Sequence, residues 1–128
     1  MQVYFWGTRG SLPASITSGA IETKIFKAIQ SSRAHPLETD DAIKTFIHNE
    51  LPFPVRGSYG GNTSCVELRG MEAYVLCDAG TGLRDFGNAY MKAKMSGQKN
   101  LPDTFHIFIS HPHWDHIQGF PFFTPAFL

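Results

Sequence analysis

The sequence predicts an α/β fold of the α+β kind, with a mixed, mainly antiparallel sheet and flanking helices. Three observations carry this. β-Branched and aromatic runs at residues 3–6, 65–69, 73–77 and 105–109 are short and bounded by turn residues. Apolar residues at helical spacing occupy the segment between the last two runs. A length of 128 residues matches one ordinary domain with one core.

Residues 3–6 (VYFW) form the first strand, closed by Gly7-Thr8-Arg9-Gly10-Ser11. The texture then changes over residues 14–56. Ile21, Ile25, Phe26 and Ile29 recur at helical spacing, as do Ile43, Phe46 and Ile47 after the start signal Thr39-Asp40-Asp41, and Pro36, Pro52 and Pro54 punctuate them. We read a helical insertion, two helices joined by a loop, that forms an amphipathic cover or lid. Residues 65–69 and 73–77 flank Gly70-Met71-Glu72 as a hairpin. A three-residue loop would set Cys65 opposite Cys77; two small buried apolar residues are expected there rather than a disulfide. Asp78-Ala79-Gly80-Thr81-Gly82 leads into a helix with Leu83, Phe86, Tyr90 and Ala93 on its apolar face and Gly97 near its end. Residues 105–109 are a nearly continuous apolar run, the pattern of a strand covered on both faces.

Composition narrows function less than pattern does. The chain is 42% hydrophobic and 17% charged, with 11 basic and 11 acidic residues, so its formal charge is zero. No basic excess points to nonspecific nucleic-acid binding. The start, MQVYFWGTRGS, lacks the basic and apolar regions of a signal peptide, and no 18-residue apolar run exists to enter a membrane. A cytoplasmic protein is expected.

The chemistry concentrates in SHPHWDHIQG, residues 110–119. Residues two apart on an extended segment share a side, so His111 and His113 can converge on one ion while Pro112 faces away. A turn into helix near Trp114 carries Asp115 and His116 to a second position close by. Imidazole nitrogens and a carboxylate oxygen suit zinc, and also manganese or iron. Two neighbouring divalent ions, which can activate water and neutralise charge on a substrate oxygen, are therefore the expected cofactors. His35, His48 and His106 stand alone and are read as structural.

This stretch resembles the HxHxDH signature of the metallo-β-lactamase superfamily. FWGTRGS, YGGNTSC, LCDAGTGL and GFPFFTPAF resemble the branch that contains ribonuclease Z and the PhnP-type phosphodiesterases. The resemblance covers residues 1–13 and 57–128 and leaves 14–56 outside. It implies half of a four-layer αββα sandwich, with residues 1–128 as the N-terminal half. It makes His111 and His113 ligands of the first metal, and Asp115 and His116 ligands of the second. Asp115 would also orient or deprotonate the attacking water, and Asp78 would brace the ligand loop from behind. Helix-start or turn aspartate is the other reading of Asp78, and turn formation is the default for Arg9 and Asn62, whose loops would approach the substrate.

The family pattern needs further histidines and a bridging aspartate. Residues 117–128 contain no His, Asp, Glu or Cys, so each ion would take only two ligands from this chain. Phe120, Phe122, Phe123, Phe127 and Leu128 form an apolar tail that should seek a cover. The expected partner is the C-terminal half of the same fold or a second subunit, with a homo-oligomer as the alternative; the chain alone should turn over little or nothing. The expected function is metal-dependent hydrolysis of a phosphodiester in a nucleotide or RNA-like substrate. Thioester or lactam hydrolysis, as in the glyoxalase II-like enzymes, is equally compatible with the ligands, and a noncatalytic metal-binding or oligomerising module is the alternative of another class.

Overall fold

β-Branched and aromatic runs become four strands in the computed structural model, which describes residues 1–128. They are β1 (Gln2–Gly7), β2 (Cys65–Arg69), β3 (Tyr74–Cys77) and β4 (Phe105–Phe108). The helices are α1 (Ser18–Ser32), α2 (Asp40–Thr45), α3 (Phe53–Arg56), α4 (Gly82–Met95) and α5 (Trp114–Ile117). The class is α+β. The sheet order is β1-β2-β3-β4, antiparallel across the first two pairs and parallel between β3 and β4, so α4 is the crossover that parallel pairing demands. No helix is long and apolar enough to cross a membrane.

The chain divides into two compact units, residues 1–14 with 60–128, and residues 15–59. The first carries the sheet. Tyr4, Glu67, Leu76 and Ile107 lie in one cross-strand row. That face is the covered one: Leu76, Cys65, Ala79, Leu83, Phe86 and Phe123 make the core, with Trp6, Tyr74, Phe105 and Ile107 packed on it. Helix α4 supplies Leu83, Phe86 and Tyr90 from its inner side, at the expected spacing. It ends in a Schellman motif, in which Gly97 N–H donates to Lys94 O and Gln98 N–H to Ala93 O, with Gly97 at φ +76°.

The opposite face carries the rows Val3, Leu68, Val75, His106 and Phe5, Val66, Cys77, Phe108. Phe5 and Phe108 are 62% and 61% exposed. Expectation and structure part here: β4 is an edge strand covered on one face only. An uninterrupted apolar run reports side-chain type, whereas coverage depends on which layers are present.

Two further expectations are corrected. The hairpin turn takes four residues, so Cys77 pairs with Val66 and Cys65 lies opposite Gly7. One step of register puts the two thiols on opposite faces, and both are free. Burial, with the Glu67 and Asp78 charges adding, pushes the Cys65 thiol up to about 12, so it is inert. The aromatic tail is not wholly uncovered either. Phe123 is buried between Phe86 and Phe105, at ring separations of 6.0 and 5.3 Å, while Phe120, Phe122, Phe127 and Leu128 stay exposed.

In the second unit, Thr17 and Thr39 cap α1 and α2 through their hydroxyls. α2 gives way to a π-helical turn at Phe46–Glu50, whose Phe46 is buried against the His35 ring. α3 is an additional short helix, joined to α1 by Lys24, whose ammonium donates to the carbonyls of Pro54 and Gly57. No residue of α1 is buried, and Ile25, Phe26 and Ile29 are exposed. Its helical period is as expected, without the expected covered face.

Candidate functional site

Three chain segments meet where β1, β3 and β4 end: the 7–11 loop, the Asp78–Gly82 loop and the 109–119 loop. Their approach is very close. A Cβ on Gly119 would lie 1.9 Å from Gly80 O, and one on Gly80 would lie 2.4 Å from Asp115 O. Ala79 N–H donates to His116 O at 2.7 Å, and Gly119 N–H to Ala79 O at 2.9 Å. Thus the glycines of DAGTG and of the HIQG stretch exist to let backbones touch, which seats the histidine loop on the core.

The loop behaves as its residue types direct. Pro112 keeps the chain extended, His113 is the N-terminal flank of α5 with φ −69° and ψ 150°, and α5 starts at Trp114. The rings of His111 and His113 are 4.4 Å apart, centre to centre, and those of His111 and His116 are 4.1 Å apart. His116 Nε2 is 3.4 Å from Asp115 Oδ2. All four residues singled out by pattern therefore gather at one place.

Asp78 lies beneath them. It adopts φ +65°, a left-handed conformation that aspartate tolerates better than most residues, and it is buried. Its Oδ1 accepts from Ser110 N–H at 2.9 Å and from Ser110 Oγ–H at 2.8 Å; its Oδ2 accepts from Ser64 Oγ–H at 3.0 Å and lies 2.7 Å from His116 Nδ1. Burial alone would raise the Asp78 carboxyl, but the donors from Ser110, His116 and Ser64 outweigh it and hold it below the usual carboxylate range.

That ionised carboxylate sets the tautomers around it. With Asp78 acceptor-only, the Ser110 hydroxyl proton points to Oδ1, so Ser110 Oγ faces His111 Nδ1, 3.0 Å away, as an acceptor. His111 and His116 then each turn Nδ1 toward this network as a donor, which leaves Nε2 of each ring outside it; that of His116 lies 3.4 Å from Asp115 Oδ2. The same arrangement argues against a serine nucleophile: Ser110 Oγ and Asp78 Oδ2 both address Nδ1 of His116, at 3.3 and 2.7 Å, whereas a hydroxyl-imidazole-carboxylate relay uses the two ring nitrogens separately.

Asp115 accepts from Ser11 N–H at 2.8 Å. That bond, against the opposing effect of burial and helped by the Asp115 backbone N–H and then by His116 and His113, holds the Asp115 carboxyl below its ordinary range. Arg9 belongs to the same loop, where Thr8 and Arg9 N–H donate to Asn62 O. The Asn62 amide is occupied within the fold: it donates to Asp85 Oδ2 at 2.6 Å and to Trp6 O at 3.4 Å, and it accepts from Thr81 Oγ1 at 3.1 Å. Turn formation accounts for Asn62.

Ser11, Ser64 and Ser110 were missed from sequence. Ser110 heads the quoted stretch, and its place one residue before the first histidine was the available signal. Ser11 and Ser64 stand in the FWGTRGS and YGGNTSC stretches but lie 104 and 14 residues from their carboxylate partners, so neither stretch says which carboxylate its serine meets.

In type, imidazole nitrogens beside a carboxylate fit a borderline divalent cation. In arrangement, the His111 ring is about equally near His116 and His113, at 4.1 and 4.4 Å, and no group of three or more His, Cys, Asp or Glu side chains is disposed to hold an ion. Among known proteins, no family model, no curated protein and no solved structure matches this chain. The superfamily resemblance accordingly rests on the quoted motifs.

Proposed function

We propose that this chain carries one wall of a two-metal hydrolase centre, and that the reaction is water attack on a phosphodiester of a nucleotide or RNA-like substrate. The observation that supports it most is the network of Asp78, Ser110, His111 and His116. A buried carboxylate and a serine there engage Nδ1 of two rings and leave each Nε2 for a ligand bond, an arrangement a purely structural histidine cluster has no need of.

In this reading His111 and His113 hold one divalent ion, zinc by preference with manganese or iron as substitutes, and Asp115 and His116 hold another. Such ions supply Lewis acidity toward a phosphoryl oxygen and hydroxide at neutral pH. Asp78 and Ser110 keep the Nδ1 protons of His116 and His111 in place. Ser11 N–H fixes the Asp115 carboxylate, which is kept ionised and so is able to orient the attacking water and receive its proton. The remaining ligands come from the partner layer, the C-terminal half of the sandwich or another subunit. The uncovered apolar face of the sheet supports the need for such a layer. The phosphodiester itself is chosen on the motif resemblance.

The test has two readouts. Cobalt(II) absorption titrated into the 128-residue chain should show nitrogen-ligated binding that His116→Ala weakens by at least about tenfold, in line with losing one of a pair of ligands. Unchanged binding in that variant would refute the ligand assignment. Assay of the complete enzyme against bis(p-nitrophenyl) phosphate and a glutathione thioester should give turnover of the first; turnover of the thioester alone would overturn the substrate class while leaving the metal assignment standing.

A further inference from the structure

At the end of the helix-sheet layer away from the histidines, a carboxylate is buried for no reason the site supplies. Glu67, on the central strand β2, is only 4% exposed. Its Oε2 accepts from Trp6 Nε1–H at 2.8 Å and from Arg69 Nε–H at 3.0 Å. Oε1 has no protein partner, and no buried side-chain oxygen in the chain lacks one, so Oε1 is the atom through which this residue meets an opening. That opening is a cavity of about 240 Å³ lined by Trp6, Glu67, Arg69, Tyr74, Phe86 and Tyr90, among others.

We infer that this cavity is a binding site for a small, uncharged planar molecule of one or two aromatic rings, carrying an N–H or O–H that donates to Glu67 Oε1. Size, walls and charge each narrow the ligand. An apolar cavity of about 150 Å³ takes benzene, so 240 Å³ admits a bicyclic ring. Aromatic walls are already set edge to face, with Tyr74 5.2 Å from Phe86 and 5.6 Å from Tyr90, an arrangement that receives another ring well. The carboxylate is charge-compensated: Arg69 is bonded to it and held in place over the Tyr4 ring at 3.9 Å. A cationic ligand would meet that guanidinium, and an anionic one would meet Glu67. Burial, and after it the Glu67 charge, raises the Tyr74 hydroxyl above its ordinary value, which places that hydroxyl in the field of the same carboxylate.

The site is independent of the histidine cluster, so its test uses no metal and no turnover. Indole and N-methylindole are titrated into the chain while the Trp6 Nε1–H resonance is followed by NMR. Indole should bind with a Kd on the order of 0.1 to 1 mM, and N-methylindole, which lacks the donor, at least about tenfold more weakly. Ala93→Leu, which fills the lining, should abolish the indole response with the Tm kept. Absence of any indole response at several millimolar, equal binding of the two probes, or indole binding that survives Ala93→Leu would each overturn the proposal.

Discussion

The two faces of the sheet are built from the same kinds of residue and have opposite fates. On one, Leu76 and Cys65 are completely buried beneath α4; on the other, Phe5, Val3 and Phe108 lie open. Alternation of side chains therefore tells which residues share a face, and leaves undecided whether anything lies on it. The histidine loop seats on Ala79 and Gly80, and Ala79 belongs to the core of the covered side, so the packing of that side also anchors the site.

The largest break in this comparison is expected at the backbone contact that closes the covered side. Gly119→Ala would drive a methyl to 1.9 Å from Gly80 O, and the forced shift should destabilise by about 3 kcal/mol or more. Gly10→Ala, with nothing within 4 Å of the added Cβ, is the control and should be silent in urea unfolding. Next comes the core: Leu76→Ala should lower stability by about 3 kcal/mol, whereas Phe5→Ser on the open face should change it by less than about 0.5 kcal/mol. Equal losses would show that the open face is covered in solution.

Asp78→Asn should have a smaller but more specific effect, about 2 kcal/mol, because an ionised acceptor for Ser110, Ser64 and His116 becomes neutral. Its sign with pH is fixed by the lowered carboxyl. Stability from Asp78 is fully present above its unfolded value of about 3.9 and is lost as pH falls through the lower folded value. Unfolding midpoints measured from pH 6 down to pH 2.5 should converge for wild type and Asp78→Asn at the acid end; a constant gap would remove the charge from the explanation.

Much of this was legible in advance for local reasons. Thr39 caps α2 through a bond three residues away, Gly97 ends α4 by adopting a conformation that its neighbours resist, and His111, His113, Asp115 and His116 converge because six residues cannot spread far. The hairpin register failed by one residue, since a fourth turn residue leaves no local signature and moves both cysteines to opposite faces.

By itself, then, the sequence determined the class, the order of the strands and of helix α4 along the chain, and the closeness of four donors, all of which follow from periodicity and short-range geometry. Tertiary structure alone decided that Asp78 sits under Ser110 and His116, that Ser11 reaches Asp115, and that Glu67 faces a cavity. Those contacts join residues tens of positions apart. Their energies depend on which backbones approach closely enough to exclude water, and no local pattern encodes that approach.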